Sequence, residues 1–322
     1  MANMTEQAKT ELKAEKEYIK THKRLYRLTA KDIIFNIFNY LIFGIFTLAC
    51  IFPFYYIFIN TISDPINVAS GKVTFLPAGF SIASYMQVFK LPTMGQAFLI
   101  TTLRTVLATG LMVLASGIVG YLMTKKELWK KKIWYRLLVA TMYFNAGIIP
   151  WYMNMSMLGL TNNFMAYIIP AIVAPYNIIL VKTYIESIPA ELEESAFIDG
   201  ASYYKIFTKI IWPLSKPIIA TITIFGAVGN WNSFQDSYIL MKASPNLWTL
   251  QHRLYDYLNY AANLGKNVSS GGTITAADQA MLDNIAVLKY TVSMVSIIPI
   301  LIVYPFMQRY FEEGIMLGAV KG

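Results

Sequence analysis

Long segments without a charged residue alternate along the chain with short charged segments. Two of these gaps run from Ile33 to Ser63 and from Ala97 to Thr124, and only Arg104 interrupts the second. Two more lie toward the C-terminal end, at Pro217–Gln235 and Tyr290–Gln308. Because a charged side chain in hydrocarbon costs a few kcal/mol, each of these gaps predicts a membrane-crossing helix.

A further gap, from Leu137 to Val181, is too long for one span of about 20 residues. Within it, Asn154, Gly159, Asn162 and Asn163 are typical turn formers, so we expect two helices joined by a turn. The pattern therefore predicts an all-α membrane protein with six transmembrane helices. An even number of spans places both termini on the same side of the membrane.

The distribution of lysine and arginine predicts which side that is. Twenty of the 27 basic residues lie at the two ends and in the even-numbered loops. Because basic flanks are retained in the cytoplasm, we expect both termini to be cytoplasmic, in the cell membrane. The predicted organisation is a basic tail over residues 1–32, a six-span domain over 33–310 and a short tail over 311–322. The net charge of +9 then reflects topology and contact with anionic lipids, and we expect no nucleic-acid partner.

Composition supports the membrane assignment and argues against catalysis. Of 322 residues, 56% are hydrophobic and only 14% are charged, which is outside the range of soluble domains. The spans leave no room for a separate enzyme domain, and the chain has no Gly-rich phosphate loop with the following Lys and Ser/Thr. Cys50 is the one cysteine, and His22 and His252 lie far apart, so we expect no metal site.

A polar insert, residues 186–217, separates two of the apolar gaps. Pro189 suits a helix start, Glu191, Glu193 and Glu194 favour the positive end of the helix dipole, and Gly200 can end the helix in a left-handed conformation. A second, basic helix follows, and Pro213 and Pro217 are expected to break it before the fifth span begins. Membrane crossing alone does not require such an insert.

The side chains of the insert suggest contact with a protein. Ser195, Ala196 and Ala201 are small enough for another backbone to approach, and Phe197 and Ile198 are apolar. The alternative is a helix that lies on the membrane surface. Because an anionic leaflet would repel the glutamates and Asp199, we favour docking against a protein.

The insert resembles the signature cytoplasmic loop of the permease subunits of bacterial ABC importers, in the maltose-type carbohydrate-uptake group. That loop has Glu-Ala-Ala, three variable residues, Gly and a downstream Leu-Pro. Here Glu194-Ser195-Ala196, Gly200 and Pro213 match it, with Ser195 in place of the usual alanine. The fuller match consists of Ile188, Pro189, Glu194, Ala196, Asp199, Gly200, Ala201, Phe207, Ile210, Pro213 and Pro217. The six-span core and the C-terminal ending are also similar, so the resemblance covers nearly the whole chain.

The resemblance implies a type I ABC importer permease fold in which the insert is a cytoplasmic coupling helix seated in a cleft of an ATPase subunit. Its implied ATPase-coupling residues are Glu191, Glu194, Ser195, Ala196, Asp199, Gly200, Ala201 and Pro213. The C-terminal residues Gly318, Lys321 and Gly322 are implied to reach the interface of an ABC ATPase dimer. The chain itself would be no enzyme and bind no cofactor, with ATP and Mg held by the ATPase. A second homologous permease and an extracellular solute-binding lipoprotein complete the implied assembly, which works by alternating access.

Polar residues within the spans are candidates for the solute pathway, because they usually face a cavity or a neighbouring helix. They are Asn145, Asn177, Asn230, Trp231, Asn232, Gln235 and Asp236. Amides pair with hydroxyls and aromatic rings cover the apolar faces of sugars, so this set suits an oligosaccharide. Hydrogen bonding between helices is the alternative for each. Arg104 would meet an anionic sugar or extend to the outer headgroups, and we expect the second.

The segment Phe144–Pro150, together with Leu158–Leu160 and Asn177–Ile179, is similar to a branch of this group that imports oligosaccharides from degraded polysaccharides. A permease for peptides or another solute is the main alternative. A stand-alone secondary transporter is a further one, disfavoured because Asp236 is the one acidic residue suited to an intramembrane relay. The outer loop, residues 242–289, is long enough either to contact an external partner or to be merely flexible.

Overall fold

The computed structural model describes residues 29–90, 92–269 and 288–305. These residues are mostly helical, as predicted, and an antiparallel bridge joins Ser63 to Phe80. The chain divides into two compact units after Tyr56. The predicted tails over residues 1–28 and 306–322, and the part of the outer loop over 270–287, lie outside the described residues.

The first described helix, α1, spans Ala30–Thr61, so all but its end belongs to the first unit. Thr29 and Asp32 cap its start reciprocally: the Thr29 amide donates to the Asp32 carboxylate at 2.8 Å, and the Asp32 amide donates to the Thr29 hydroxyl at 3.4 Å. Large apolar side chains are exposed along the helix, including Tyr40 and Leu48. A helix that is apolar on all sides suits a hydrocarbon environment.

The second unit contains the remaining helices. They are α2 (Pro65–Ala69), α3 (Ala83–Lys90), α4 (Pro92–Leu122), α5 (Lys131–Tyr143), α6 (Ile148–Met157), α7 (Pro175–Ile185), α8 (Glu191–Ile198), α9 (Tyr203–Leu214), α10 (Lys216–Asn232), α11 (Gln235–Leu240), α12 (Leu250–Ser269) and α13 (Leu288–Pro305). Helix α12 occupies the first half of the predicted outer loop. That part of the loop is therefore a helix.

Helix α4 is the centre of this unit and packs along α7 and α10. Glycine makes the closest approach possible: a Cβ added at Gly120 would lie 2.8 Å from a Val181 methyl carbon and 3.2 Å from the Lys182 amide nitrogen. A Cβ at Gly226 of α10 would lie 2.3 Å from the end of Met112 on α4. Small residues at helix contacts let backbones approach closely in membranes, which explains this packing.

The long charge-free gap from Leu137 to Val181 forms more helical segments than the sequence predicts. Helices α5 and α6 are separated by a turn in which Gly147 has φ 87°. After α6, Gly159 and Asn162 have positive φ, and the Asn163 side chain accepts from the Met165 amide at 3.0 Å. Two 3₁₀ turns, Phe164–Tyr167 and Ile169–Ala171, then lead to α7. The predicted turn is confirmed at positions 159–163, but Asn154 lies within α6.

Four described helical segments are long and apolar enough to cross a membrane: Ala30–Thr61, Thr93–Leu122, Phe164–Ile185 and Leu288–Pro305. The pair α9 and α10 makes a fifth if it counts as one bent span. Helices α5 and α6, in the predicted third span, are each shorter than a bilayer requires. The arrangement of six spans therefore stays a prediction.

Candidate functional site

Helix α8 is the short acidic helix that the sequence predicts in the insert. Its first turn contains all three glutamates, and Gly200 follows its end with φ 75°. The Ala201 amide donates to the Ala196 carbonyl at 2.9 Å and the Gly200 amide donates to the Phe197 carbonyl at 3.0 Å. This pair of bonds is the Schellman end that a left-handed glycine permits. The direction of the chain after α8 thus depends on Gly200.

One side of α8 packs against the unit, and the other side is open. Ala196 is buried within a cluster that also includes Val181 and Ile206. Ile198 is 87% exposed and Leu192 44% exposed. Most other residues predicted for coupling are exposed as well: Glu191, Glu194, Ser195, Asp199, Gly200 and Pro213, with Ala201 half-buried. An open surface that mixes carboxylates with large apolar groups is suited to binding another protein.

Glu193, which the sequence analysis named for the helix dipole but not among the coupling residues, faces the body of the unit. Its carboxylate accepts a hydrogen bond of 2.9 Å from the Tyr121 hydroxyl and forms an ion pair with Lys125. The Lys125 ammonium also lies 3.9 Å from the centre of the Tyr121 ring. A cavity of about 340 Å³ adjoins these groups, between the start of α8 and the segment after α4.

Helix α9 connects α8 to α10 through an abrupt change of direction. It contains a π-helical turn over Phe207–Ile211, just before Pro213, and the axes of α9 and α10 differ by 78°. A π turn and a proline are known causes of helix bending. The Trp212 ring packs so close to α4 that a Cβ at Gly117 would lie 2.4 Å from it. The predicted break near Pro213 and Pro217 is confirmed.

Three of the predicted pathway residues join helices. Asn177 is 8% exposed and its amide donates to the Met112 sulfur at 3.1 Å. The Asn230 amide donates to the Thr109 hydroxyl at 3.2 Å. The Trp231 indole, 8% exposed, donates to the Ser296 carbonyl at 2.8 Å. For these three, the structure shows the helix-joining contacts that the sequence leaves open as an alternative.

The remaining amides are exposed. Asn145 lies in the turn between α5 and α6, where its side chain accepts from the Gly147 amide at 2.9 Å. Asn232 and Gln235 lie at the junction of α10 and α11, and the Gln251 amide donates to the Asn232 side chain at 3.4 Å. The structure therefore brings Asn232 and Gln235 into one region.

An aromatic cluster, formed by Phe234, Tyr238 and Tyr255, surrounds this junction. The Phe234 and Tyr255 rings stack with their centres 4.9 Å apart, and Tyr238 meets Tyr255 edge to face at 5.2 Å. Tyr238 is 45% exposed. Tyr238 and Tyr255 were not predicted from the sequence. The aromatic residues at positions 255 and 257 of α12 could have indicated an aromatic surface near the amides of α10.

Asp236 and Arg104 form a buried ion pair, so the expectation that Arg104 extends to the headgroups is wrong. The guanidinium meets the carboxylate at 2.7 and 3.2 Å, donates to the Ser233 carbonyl at 3.3 Å, and lies 4.5 Å from the centre of the Tyr167 ring. Arg104 is 1% exposed. A buried arginine needs a counter-charge, and Asp236 supplies it. Asp236 is thus committed to Arg104, which also weakens the case for a proton relay.

His252 of α12 lies beside this ion pair in a buried polar network. Its Nδ1 shares a 2.9 Å hydrogen bond with the Ser237 hydroxyl, and its ring stacks on Trp248 at 4.1 Å between centres. Burial lowers the pKa of His252 to about 4, against the opposing effect of Asp256. The imidazole is therefore neutral at physiological pH.

Comparison with known proteins identifies the family. No protein-family model matches the chain. The permease protein YtcP of the polygalacturonan/rhamnogalacturonan transport system of Bacillus subtilis (strain 168) is 32% identical over 290 residues, a match that covers 89% of this chain and 99% of YtcP. Protein LplC of the same organism is 31% identical over 293 residues, 90% of this chain and 95% of LplC. The chain belongs to the permease subunits of bacterial sugar ABC importers.

A solved structure supports the same assignment. A bacterial ABC transporter involved in the import of the acidic polysaccharide alginate contains a chain that matches this permease with a TM-score of 0.75 and 31% sequence identity. The match covers 88% of this permease and 98% of that chain. The family that the insert motif suggested is thereby confirmed, and with it the function as a transport subunit.

The predicted C-terminal contact residues of this permease are not tested by the structure. Gly318, Lys321 and Gly322 lie outside the described residues. Across residues 29–90, 92–269 and 288–305, the structure contains no group of three or more His, Cys, Asp or Glu side chains that could hold a metal ion. The relatives are transport permeases, and this permease is likewise a transport subunit.

Proposed function

We propose that this permease forms half of the translocation pathway of an ATP-driven oligosaccharide importer in the cytoplasmic membrane, with both termini on the cytoplasmic side. A second, homologous permease would form the other half. An extracellular solute-binding lipoprotein would deliver the oligosaccharide, and an ABC ATPase dimer would bind and hydrolyse ATP with Mg. Closure of the ATPases would move the permeases from an inward-facing to an outward-facing state.

The observation that carries the proposal is the two-sided structure of α8. Its open side presents Glu194, Asp199 and Ile198 to a partner, while its buried side contacts the same core as α4, α7 and α9. A helix attached on one side and open on the other is suited to transmit a movement of a docked partner. We therefore assign α8 as the coupling helix, with Glu191 and Glu194 as acidic contacts and Ser195, Gly200 and Ala201 as the close-approach surface.

The experiment that tests this role uses Gly200. A Cβ at Gly200 meets nothing within 4 Å, so a substitution acts through the backbone or through a docked partner and not through the packing of this chain. Gly200→Val places a β-branched residue at positive φ, whereas Gly200→Asn is tolerated there. In the importer reconstituted with its ATPase and binding protein, we expect Gly200→Val to abolish uptake while ATP hydrolysis continues without stimulation by solute. Gly200→Asn keeps the backbone conformation but adds a side chain at the docking surface, so it should impair uptake less than Gly200→Val. Normal coupling in Gly200→Val would exclude the coupling role.

For the substrate, we propose oligosaccharides released from polysaccharides. The support is the named substrate of YtcP and of the alginate importer, both of which are polysaccharide systems. Asn232, Gln235 and the aromatic cluster supply amides and rings of the kind that bind sugars. Asn145 is a further exposed amide of the proposed pathway, whereas Asn177, Asn230 and Trp231 would act by holding the pathway helices in place.

Uptake measurements distinguish the substrate classes. We expect labelled oligosaccharides from polygalacturonan or alginate to enter vesicles that contain the complete importer, and a peptide of similar mass to be excluded. Replacing both Asn232 and Gln235 with Ala should change the rates for different oligosaccharides unequally, with ATPase assembly intact. Uptake of the peptide alone would replace the oligosaccharide proposal with the peptide alternative.

A further inference from the structure

The three glutamates of α8 face different directions. Glu191 and Glu194 are exposed, whereas the side chain of Glu193 is 19% exposed and that of its partner Lys125 is 13% exposed. Three acidic residues in one helical turn would otherwise have equivalent interactions with the dipole of α8. The three glutamates differ in their contacts, and the contacts of Glu193 are with residues at the end of α4 and just beyond it.

The contacts of Glu193 connect α8 to the end of α4. Tyr121 lies in the last turn of α4, and Lys125 lies three residues beyond its end. Tyr121 is 4% exposed, and its ring packs 5.2 Å from the ring of Phe207 on α9. The Lys125 ammonium is within 5.9 Å of the centre of the Tyr203 ring, which itself meets Phe197 of α8 edge to face at 4.8 Å. The end of α4 therefore holds both the start of α8 and the start of α9.

We propose that Glu193, Tyr121 and Lys125 are positioning residues that transmit the displacement of α8 to α4. This inference rests on the coupling role proposed for α8. We call the three residues the α4–α8 clasp. The clasp differs from the apolar contacts of Ala196 because a charge-assisted hydrogen bond and an ion pair require a particular geometry, whereas apolar contacts can slide.

The route beyond the clasp follows from the packing of α4. From Tyr121 toward the start of α4, Gly120 contacts Val181 of α7 and Gly117 contacts Trp212 of α9. Neither glycine has room for a side chain. Farther along, Met112 and Thr109 meet Gly226 of α10. Closely packed helices move together, because a packed core changes between discrete arrangements and does not deform continuously. A displacement received at Glu193 thus reaches the helices that carry Asn177 and Asn230.

The test measures the ratio of ATP hydrolysed to oligosaccharide taken up, in the complete importer reconstituted with its ATPase and binding protein. We expect Glu193→Lys and Lys125→Glu each to raise this ratio about fivefold or more, the lower end of typical coupling between two sites. The charge-swapped double variant should return the ratio at least halfway to that of the unmodified protein. Lys126→Glu, at the exposed lysine next to Lys125, is the matched control for Lys125→Glu and should leave the ratio close to normal.

Two conservative variants keep the test decisive if a charge reversal prevents assembly. Tyr121→Phe removes only the hydroxyl donor, and Lys125→Arg keeps the charge; the first should raise the ratio moderately and the second should leave it close to normal. Unchanged ratios in Glu193→Lys and Tyr121→Phe, with Gly200→Val uncoupled, would overturn the clasp and leave α8 as a coupling helix. A normal ratio in Gly200→Val as well would overturn the coupling role itself.

Discussion

Helix α4 has one basic residue near its middle, Arg104, and another, Lys125, lies three residues beyond its end. Each is paired with an acidic residue from a different element. The two lie roughly 30 Å apart at about 1.5 Å per residue. Arg104 is 1% exposed and is held by Asp236, the Ser233 carbonyl and the Tyr167 ring. Lys125 is 13% exposed and its partner Glu193 is 19% exposed, beside an open cavity. The Asp236 side chain is also 19% exposed, so the two pairs differ mainly in the water that can reach their basic residue.

The two pairs should therefore differ in the free energy that is needed to open them. Opening a buried pair leaves charges in a medium that solvates them poorly, so the Arg104–Asp236 pair should persist through the transport cycle. Water can replace part of the interaction when a more exposed pair opens. The Lys125–Glu193 pair should therefore require less free energy to open than the Arg104–Asp236 pair. Two ion pairs with the same charges can therefore differ in stability according to the burial of the basic residue.

Removing Asp236 should have the largest effect on stability. Asp236→Ala leaves Arg104 buried without its counter-charge, and we expect a loss of about 3–5 kcal/mol. Glu193→Ala, at the more exposed pair, should cost about 1 kcal/mol or less. Thermal unfolding of the two purified variants in the same detergent compares them directly. Equal losses in the two variants would erase the proposed distinction between the pairs.

A double variant sharpens this result. Arg104→Met combined with Asp236→Leu removes both charges and fills a similar volume, so it should recover most of the stability lost in Asp236→Ala. A double variant as unstable as Asp236→Ala would show that the neighbouring contacts, and not the unpaired charge, account for the loss.

The packing of α4 near Lys125 should be the next most sensitive feature. Gly120→Ala forces a Cβ against Val181 and the backbone of Lys182, and we expect a loss of about 1–3 kcal/mol. Gly110→Ala lies in the same helix with nothing within 4 Å of the new Cβ. This control should be neutral or gain up to about 1 kcal/mol, because alanine favours the helix. If Gly120→Ala unfolds at the same temperature as Gly110→Ala, the close contact of α4 with α7 is not a constraint.

Acidification should destabilise the region around Arg104 through His252. The unfolded chain takes up a proton on this residue near pH 6.5, whereas burial delays uptake in the folded chain until the pKa of about 4. Stability contributed by neutral His252 is thus present above pH 6.5 and is lost as the pH falls toward 4. His252→Asn keeps an acceptor for Ser237 without titrating, so its unfolding temperature should fall less between pH 7 and pH 5. An equal fall in the unmodified chain and in His252→Asn would show that His252 does not account for the pH dependence.

The smallest effect on stability is expected on the open side of α8. Ile198 is 87% exposed, so Ile198→Ser should change the stability of this chain by less than about 0.5 kcal/mol. It should nevertheless lower the amount of ATPase that stays bound during purification of the importer. Ile66→Ser, at an apolar side chain of α2 that is 75% exposed, is the control and should retain the ATPase. Equal retention in both variants would remove Ile198 from the docking surface.

The features that the sequence predicted well depend on local chemistry. Charge is excluded from hydrocarbon, and the gap Ile33–Ser63 accordingly marks α1 to within three residues at each end. Gly200 permits a conformation that few other residues adopt, so the end of α8 was visible in the sequence. The same reasoning placed the turn at Gly159 and Asn162.

The features that the sequence did not predict depend on contacts between distant segments. Arg104 and Asp236 are 132 positions apart, and nothing local indicates that they meet. Glu193 faces inward because α4 ends beside it, and the neighbouring glutamates carry the same charge without that contact. Helix α12 was not predicted because its residues are polar enough to resemble a loop, although its Tyr255 packs on Phe234, between α10 and α11, and on Tyr238 of α11.

If α8 moves with a docked ATPase as proposed, the bend between α9 and α10 determines what that movement does to the proposed solute pathway. Since the axes differ by 78°, a shift along α9 has only a small component along α10 and acts mostly across it. Helix α10 should therefore tilt about its far end, near Trp231 and the Arg104–Asp236 pair, and slide very little. A tilt of this kind widens the pathway on one side of the membrane and narrows it on the other. The solute is then accessible from only one side at a time, which directional transport requires.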